Sequence, residues 1–297
     1  LGQPGSPRIV VLDDLSTGNE ANLDEVRAAV DFHHADIRDY ASVEALVRGA
    51  ELVFHMAAIP SVPRSIEEPE LSHTVNVDGA FNVLLAAHRA GVRRVIYAAS
   101  SSAYGDAPAL PKVESMPPQP KSPYAAQKLL GEHYARVFTE VYGLETVALR
   151  FFNVFGPRQD PSSPYSGVIS VFLACLLERH PPTIYGDGEQ SRDFTYVDNI
   201  VDLCLKAAIS PAASGKLYNG GTGNRVTLNQ TWRLLEQIEG VSLLPLYGPP
   251  RPGDVRHSQA DISAARRDLG YAPTVAFEPG LRRTLDWFRS QKGQTKK

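Results

Sequence analysis

Three short runs rich in β-branched and other apolar residues punctuate the first part of the chain, at Arg8 to Leu12, Glu51 to His55 and Arg94 to Ala99. They are near-continuous rather than alternating, the pattern of strands buried on both faces of a parallel sheet. Between them the apolar spacing changes to a helical period, at Ser42 to Arg48 through Val43, Leu46 and Val47, and again from Val75 to Ala90. A further helix is predicted from Pro123 to Tyr142, leading into a strand at Thr146 to Phe151. Strand alternating with helix predicts an α/β fold with a doubly wound parallel sheet.

Beyond Phe151 the alternation weakens and proline and glycine become frequent. Residues 1–152 read as the sheet domain, 153–290 as a smaller ligand-binding region with segments returning to the sheet, and 291–297 as a tail. The second region carries a predicted helix at Val168 to Arg179, a YGDG turn, and a proline-rich loop from Pro245 to Pro252 that excludes regular structure. The polar stretch Arg289 to Lys297 is expected to be disordered.

Composition narrows the function classes. The 297 residues are 43% hydrophobic and 21% charged, with a formal net charge of -3, so no basic surplus points to nucleic acid. The longest apolar run, Val168 to Leu177, ends at Glu178, Arg179 and His180, about half a membrane span. No signal-peptide order opens the chain. The two cysteines, Cys175 and Cys204, lie in apolar helical stretches and give neither a disulfide framework nor a metal site. Together these features predict a cytoplasmic protein.

Tyr124 and Lys128 form a Y-x-x-x-K pair, and a spacing of four on a helix brings both to one face. A free tyrosine has a pKa of about 10, and lowering it by about three units takes roughly 4 kcal/mol of differential stabilisation. An ammonium one turn away and a nicotinamide cation nearby would supply it. Alone, the spacing equally describes an exposed helical pair. The run Ser100-Ser101-Ser102 changes the balance, because it follows a predicted strand, and the carboxyl ends of parallel strands line the ligand crevice. A serine there hydrogen-bonds a sugar hydroxyl; its plainer role is a polar turn.

Asp13 and Asp14 end the first strand, where a carboxylate accepts ribose hydroxyls and repels a 2′-phosphate, favouring NAD over NADP; as DDLSTG they equally make a turn cap. Asp36 and Ile37 follow the next short strand and would flank the adenine. His55-Met56-Ala57-Ala58 offers small residues for close cofactor approach, with His55 itself read as a packed core residue.

Taken together, DDLSTG, HMAA, NVDGAFNVL, SSSAYG, YAAQK, RFFNVFGPR, IYGDGEQSRDF and RPGDVRHS resemble the extended short-chain dehydrogenase/reductases, and among them the UDP-hexose and UDP-N-acetylhexosamine 4-epimerases. The resemblance runs from about Arg8 to about Phe288. It implies 4-epimerisation through a 4-keto sugar with tightly bound NAD. Ser100 would be the catalytic serine, assisted by Ser101 and Ser102, with Tyr124 as base and Lys128 holding the nicotinamide ribose. The cofactor would also meet Ser16, Thr17, Gly18, Met56, Ala57, Ala58, Asn76, Ala98 and Phe151. The sugar nucleotide would meet Ser61, Val62 and Val168. By the same resemblance Asn153 binds the diphosphate, Thr183, Ile184 and Tyr185 the uracil, Arg192 and Arg251 the phosphates, and Asp254 the uridine ribose. Paired arginines suit a pyrophosphate, although surface ion pairing is their commoner use. Ser258 leaves room for an N-acetyl group, making UDP-N-acetylglucosamine the leading substrate beside UDP-glucose. A homodimer across Val75 to Ala90 and Pro123 to Tyr142 is expected.

The departure from that family is at the start. Its first strand and G-x-x-G-x-x-G loop, which present backbone N–H groups to the pyrophosphate, are not found before Arg8. Gly2 and Gly5 follow no strand, and the chain reads as N-terminally incomplete. A 4,6-dehydratase wants carboxylates where Ser100 to Ser102 stand. A UDP-sugar decarboxylase needs a cation for a C6 carboxylate, for which Arg64 is a candidate. A non-catalytic binding protein on the same scaffold is the remaining alternative.

Overall fold

The computed structural model describes residues 7–159, 167–250 and 255–294. In chain order the first half comprises β1 (Ile9–Asp13), β2 (Val30–His34), α1 (Tyr40–Val47), β3 (Leu52–His55), α2 (Val62–Glu67), α3 (Pro69–His73), α4 (Ala80–Arg89), β4 (Arg94–Ser100), α5 (Pro123–Tyr142) and β5 (Glu145–Phe151). The remainder is β6 (Asn153–Phe155), α6 (Val168–Leu177), β7 (Thr183–Tyr185), β8 (Ser191–Arg192), β9 (Phe194–Tyr196), α7 (Val197–Ile209), β10 (Lys216–Gly220), β11 (Val226–Thr227), α8 (Leu228–Glu239), β12 (Leu246–Gly248), α9 (Ser263–Leu269) and α10 (Phe277–Gln294).

The central sheet is parallel, in the order β10-β5-β4-β3, while β1 pairs in parallel only with β2. Leu12 of β1 and Val53 of β3 pack against one apolar cluster, built on Ile37, Val43 and Val83. The two sheet pieces thus share a helix layer, yet β1 and β3 exchange no hydrogen bonds. Val10 at 37% and Phe54 at 40% exposure sit on these facing edges.

α5 has clear physical boundaries. Ser122 Oγ accepts from the Ala125 amide, Pro123 occupies the first turn, and Gly143 ends the helix in the left-handed region at φ 72°. α5 packs on β4 and β5, and α7 and α9 cover the opposite side with a core that includes Leu149, Leu203 and Tyr271. A separate core of Phe172, Trp232 and Leu281 joins α6, α8 and α10.

Two expectations need correction. The helix predicted from Val75 opens instead as a π-helical turn, Thr74–Gly79, before α4 begins. The stretch from Arg289 is helical as far as Gln294: Leu281, Leu285 and Phe288 dock on the α6–α8 core, and Arg289 pairs with Glu239 and with Asp286. Apolar anchoring upstream carries the polar last turns into the helix.

Candidate active site

The carboxyl ends of β1, β3, β4 and β5 open into one cavity of about 940 Å³. Ser100, the last residue of β4, is 8% exposed, and its Oγ accepts from the Ser102 amide at 3.2 Å and from Ser102 Oγ at 2.8 Å. Tyr124 enters the same cavity from the first turn of α5. The Tyr124 amide is anchored on Ser65 Oγ of α2 at 3.1 Å. Lys128 follows one turn later, buried.

Burial pushes the Tyr124 phenol above its ordinary value, and the nearby Ser100 hydroxyl only partly offsets this. Burial also brings Lys128 down to about 8, with Glu132 working in the opposite direction. Both shifts disfavour the charged form of the group concerned.

The other expected residues divide by position. Ser16, Thr17, Met56, Ala58, Ala98 and Phe151 line the cavity beside Ser61, Val62, Ser101, Ser102 and Asn153. Ser61 also caps α2 by accepting from the Arg64 amide. At the tip of β1, Asp13 Oδ1 accepts from Leu15 N at 2.8 Å, and Asp14 Oδ1 accepts from Ser16 N and Ser16 Oγ. Both carboxylates thus build the turn, with oxygens left over. A Cβ on Gly18 would lie 2.9 Å from Asp13 Oδ1, so glycine lets the turn close over that carboxylate. Ala57 is exposed at the end of β3.

Several residues face elsewhere. Asn76 is buried with its amide consumed: Oδ1 accepts from Ile59 N at 2.8 Å, and Nδ2 donates to Ile59 O and Gln127 Oε1. It fixes the loop after β3 and does not line the cavity. Ile37 is in the core, and the Asp36 carboxylate is held below its usual range by Arg38. Val168 packs on the α6–α8 core; its neighbour Gly167 lines the cavity.

Arg192 and Ser258 line the far wall, Arg192 Nη1 donating to Ser191 O at 3.0 Å. On β7, Thr183 is exposed and the Ile184 side chain is 1% exposed in the core. Tyr185 borders a second cavity of about 450 Å³ with Asp187, Gln190 and Arg256. Arg251 and Asp254 lie outside the described residues. Sequence reasoning missed Lys112, Lys121 and Gln159 in the main cavity. Lys112 is 2% exposed and bonds Ala107 O, a placement made by tertiary pairing with Gln259 and Ala260 that no local motif announces.

These residues fit NAD: a turn bearing two carboxylates at the tip of β1, small side chains at Ala58 and Ala98, and Lys128 beside Tyr124 at the far end. Among the described residues no glycine turn stands between the tips of β1 and β3 to meet its pyrophosphate.

Comparison with known proteins agrees with this geometry. The chain is 39% identical to the UDP-glucose 4-epimerase of Mycolicibacterium smegmatis over 95% of its own length and 91% of the relative's. The solved UDP-glucose 4-epimerase of Thermotoga maritima, with UDP-glucose, superposes at a TM-score of 0.92 with 36% identity, covering 96% of this chain and 92% of that one. The UDP-N-acetylglucosamine 4-epimerase of Methanobrevibacter ruminantium, in complex with UDP-N-acetylmuramic acid, gives 0.92 and 39%, covering 96% and 91%. Residues 1–221 match the model of the NAD dependent epimerase/dehydratase family, and the chain belongs to that family.

Proposed function

We propose that the chain is an NAD-dependent 4-epimerase of UDP-hexoses and UDP-N-acetylhexosamines, working through a 4-keto sugar. The observation that carries the reading is the convergence of Ser100, Tyr124 and buried Lys128 on one cavity at the carboxyl end of β4, Lys128 one helical turn behind Tyr124. Tyr124 takes the proton from the sugar 4-hydroxyl and later returns it. Ser100 orients that hydroxyl, its own Oγ fixed by Ser102. Lys128 holds positive charge beside the developing phenolate. Bound here, NAD would supply the hydride acceptor and donor for C4, with Ser16, Thr17, Ala58, Ala98 and Lys128 placed to hold it. Arg192 meets the diphosphate, and Ser258 leaves space for an N-acetyl group.

Dehydratases share the scaffold, and the dTDP-glucose 4,6-dehydratase of Streptomyces griseus is 32% identical. The described cavity lining here contains no aspartate or glutamate, which weakens that reading. Leu130, Val137, Val141 and Tyr142 expose an apolar stripe along α5, which supports a homodimer through α4 and α5. The buried free cysteines suit a reducing cytoplasm.

The test is incubation with UDP-glucose and UDP-N-acetylglucosamine, with and without added NAD, for the 4-epimers. Tyr124→Phe should lower turnover about 10²–10⁴-fold. Absence of any epimer or keto intermediate from the native protein with NAD rejects the proposal.

A further inference from the structure

We propose that Tyr97, a core residue outside the cavity lining, is the aromatic seat that fixes the Lys128 ammonium for proton transfer at Tyr124. The inference rests on the 4-epimerase reading for its kinetic consequence, but the contact stands on its own geometry. Tyr97 is fully buried on β4, and Lys128 Nζ lies 4.8 Å from its ring centroid, within the range where a cation is drawn to the ring face. The attraction is strongest where water is excluded, and Lys128 is 4% exposed. No hydrogen bond from Lys128 Nζ to another residue is found among the described residues, so the ring is the protein surface on which this ammonium rests.

Two features hold the ring in place. Tyr97 Oη donates to the carbonyl of Lys128 at 3.4 Å, tying the ring to the same turn of α5 that carries the ammonium. Gly131 lies directly over that hydroxyl: a Cβ there would stand 2.1 Å from Tyr97 Oη. Glycine in the interior of a helix costs about 0.5–1 kcal/mol relative to alanine, so the exception has a packing cause here. α5 approaches β4 this closely because residue 131 has no side chain. On the neighbouring strand His55 packs against the ring at 5.6 Å and 42°.

The electrostatic surroundings leave the ring contact exposed as a variable. From α5 itself, Glu132 and Tyr124 face the pair; from β3, His55; from β4, Ser100; from β5, Arg150 is engaged by Glu132 and the Tyr104 ring. Across the other side of α5, Ser65 and Ser72 of α2 and α3 and Asn76 present neutral groups. Burial drives His55 down to about 3, so it stays neutral and does not repel the ammonium. Removing the ring's quadrupole would make Lys128 lose its proton at lower pH, leaving Tyr124 without the positive charge its phenolate needs. Tyr97 is a positioning residue: it touches neither substrate nor cofactor.

The test replaces Tyr97 with phenylalanine and then with mono-, di- and trifluorophenylalanine, a series that keeps shape while draining charge from the ring face. Two readouts are followed: the pH profile of kcat for epimerisation, and the titration of ¹³C-labelled Lys128, assigned by its loss in Lys128→Arg. Tyr97→Phe should stay within about threefold of the native kcat. Across the fluorinated series kcat should fall stepwise to about a tenth, KM should hold, and the lysine titration and the alkaline limb of kcat should both move down by about one pH unit. A lysine titration that ignores fluorination overturns the seat, whatever the activity. A titration that moves in a native background with no epimerase activity overturns the 4-epimerase reading and leaves the seat standing. A KM effect without change in kcat overturns the positioning role.

Discussion

Replacing Glu132 with leucine should cost this protein more stability than most core substitutions. Arg150 and Glu132 form a two-pronged ion pair, Nε to Oε1 at 2.9 Å and Nη2 to Oε2 at 2.7 Å, with side chains only 3% and 7% exposed. Arg150 Nη1 already has no hydrogen-bond partner. Without the carboxylate, the guanidinium keeps only the face of Tyr104, 4.4 Å from its carbon. Breaking a buried pair from one side costs about 3–5 kcal/mol, because a buried charge is left uncompensated. That corresponds to a fall in Tm of roughly 10 °C for a chain of this size. The double variant Glu132→Leu/Arg150→Met removes both charges and should recover most of the loss. Urea denaturation of the native, two single and double variants closes the cycle. A loss under about 1 kcal/mol for Glu132→Leu, or a double variant no more stable than that single, would refute the argument.

Stability should fall in mild acid because of His55, whose folded pKa of about 3 lies below its unfolded value of 6.5. Stability from keeping it neutral is present above about pH 6.5 and drains as pH falls toward 3, roughly 2 kcal/mol by pH 5; His55→Leu should flatten that slope in urea titrations at pH 8 and pH 5. Asp193→Ala should destabilise by about 3 kcal/mol and raise KM for the sugar nucleotide, since the carboxylate accepts from Thr222 N and Oγ1, Gly223 N and Ala260 N beside Arg192; unchanged melting in calorimetry would contradict it. Leu12→Ala loosens the β1–β2 ribbon from its helix layer and should weaken NAD binding in calorimetric titration while kcat at saturating NAD holds; a lower kcat with native affinity would count against it.

What could be read from sequence was whatever a local rule decides. Pro123 and Gly143 mark the ends of α5, and the apolar run before Ser100 marks a strand tip, so the meeting of Ser100, Tyr124 and Lys128 at one cavity was legible as types and spacings. Asn76 was misplaced because a polar side chain in the right stretch gives no sign of its own bonding; Ile59 and Gln127, distant in sequence, take both ends of its amide. Ile184 was assigned to a ligand although strand alternation between exposed Thr183 and Tyr185 already turns its side chain into the core. Lys112 and the Tyr97–Lys128 contact depend on which strand lies under which helix turn, and no spacing rule reports that.

The placement of the strand tips bears on how the chemistry is held. Ser100, Tyr124 and Lys128 belong to β4 and α5, and this pair of elements is braced from below by β5, by Tyr97 and by the Arg150–Glu132 pair. The carboxylates at the tip of β1 are tied to the turn that follows and, through Leu12, to the α1–α4 layer. By the proposed assignment, proton transfer depends on the β4–α5 pair, where an error of an ångström would cost rate, whereas the tip of β1 grips the adenosine end and is expressed as affinity. Perturbations should sort accordingly: changes under α5 alter turnover and its pH dependence, and changes in the ribbon alter how much NAD is needed to reach the same turnover.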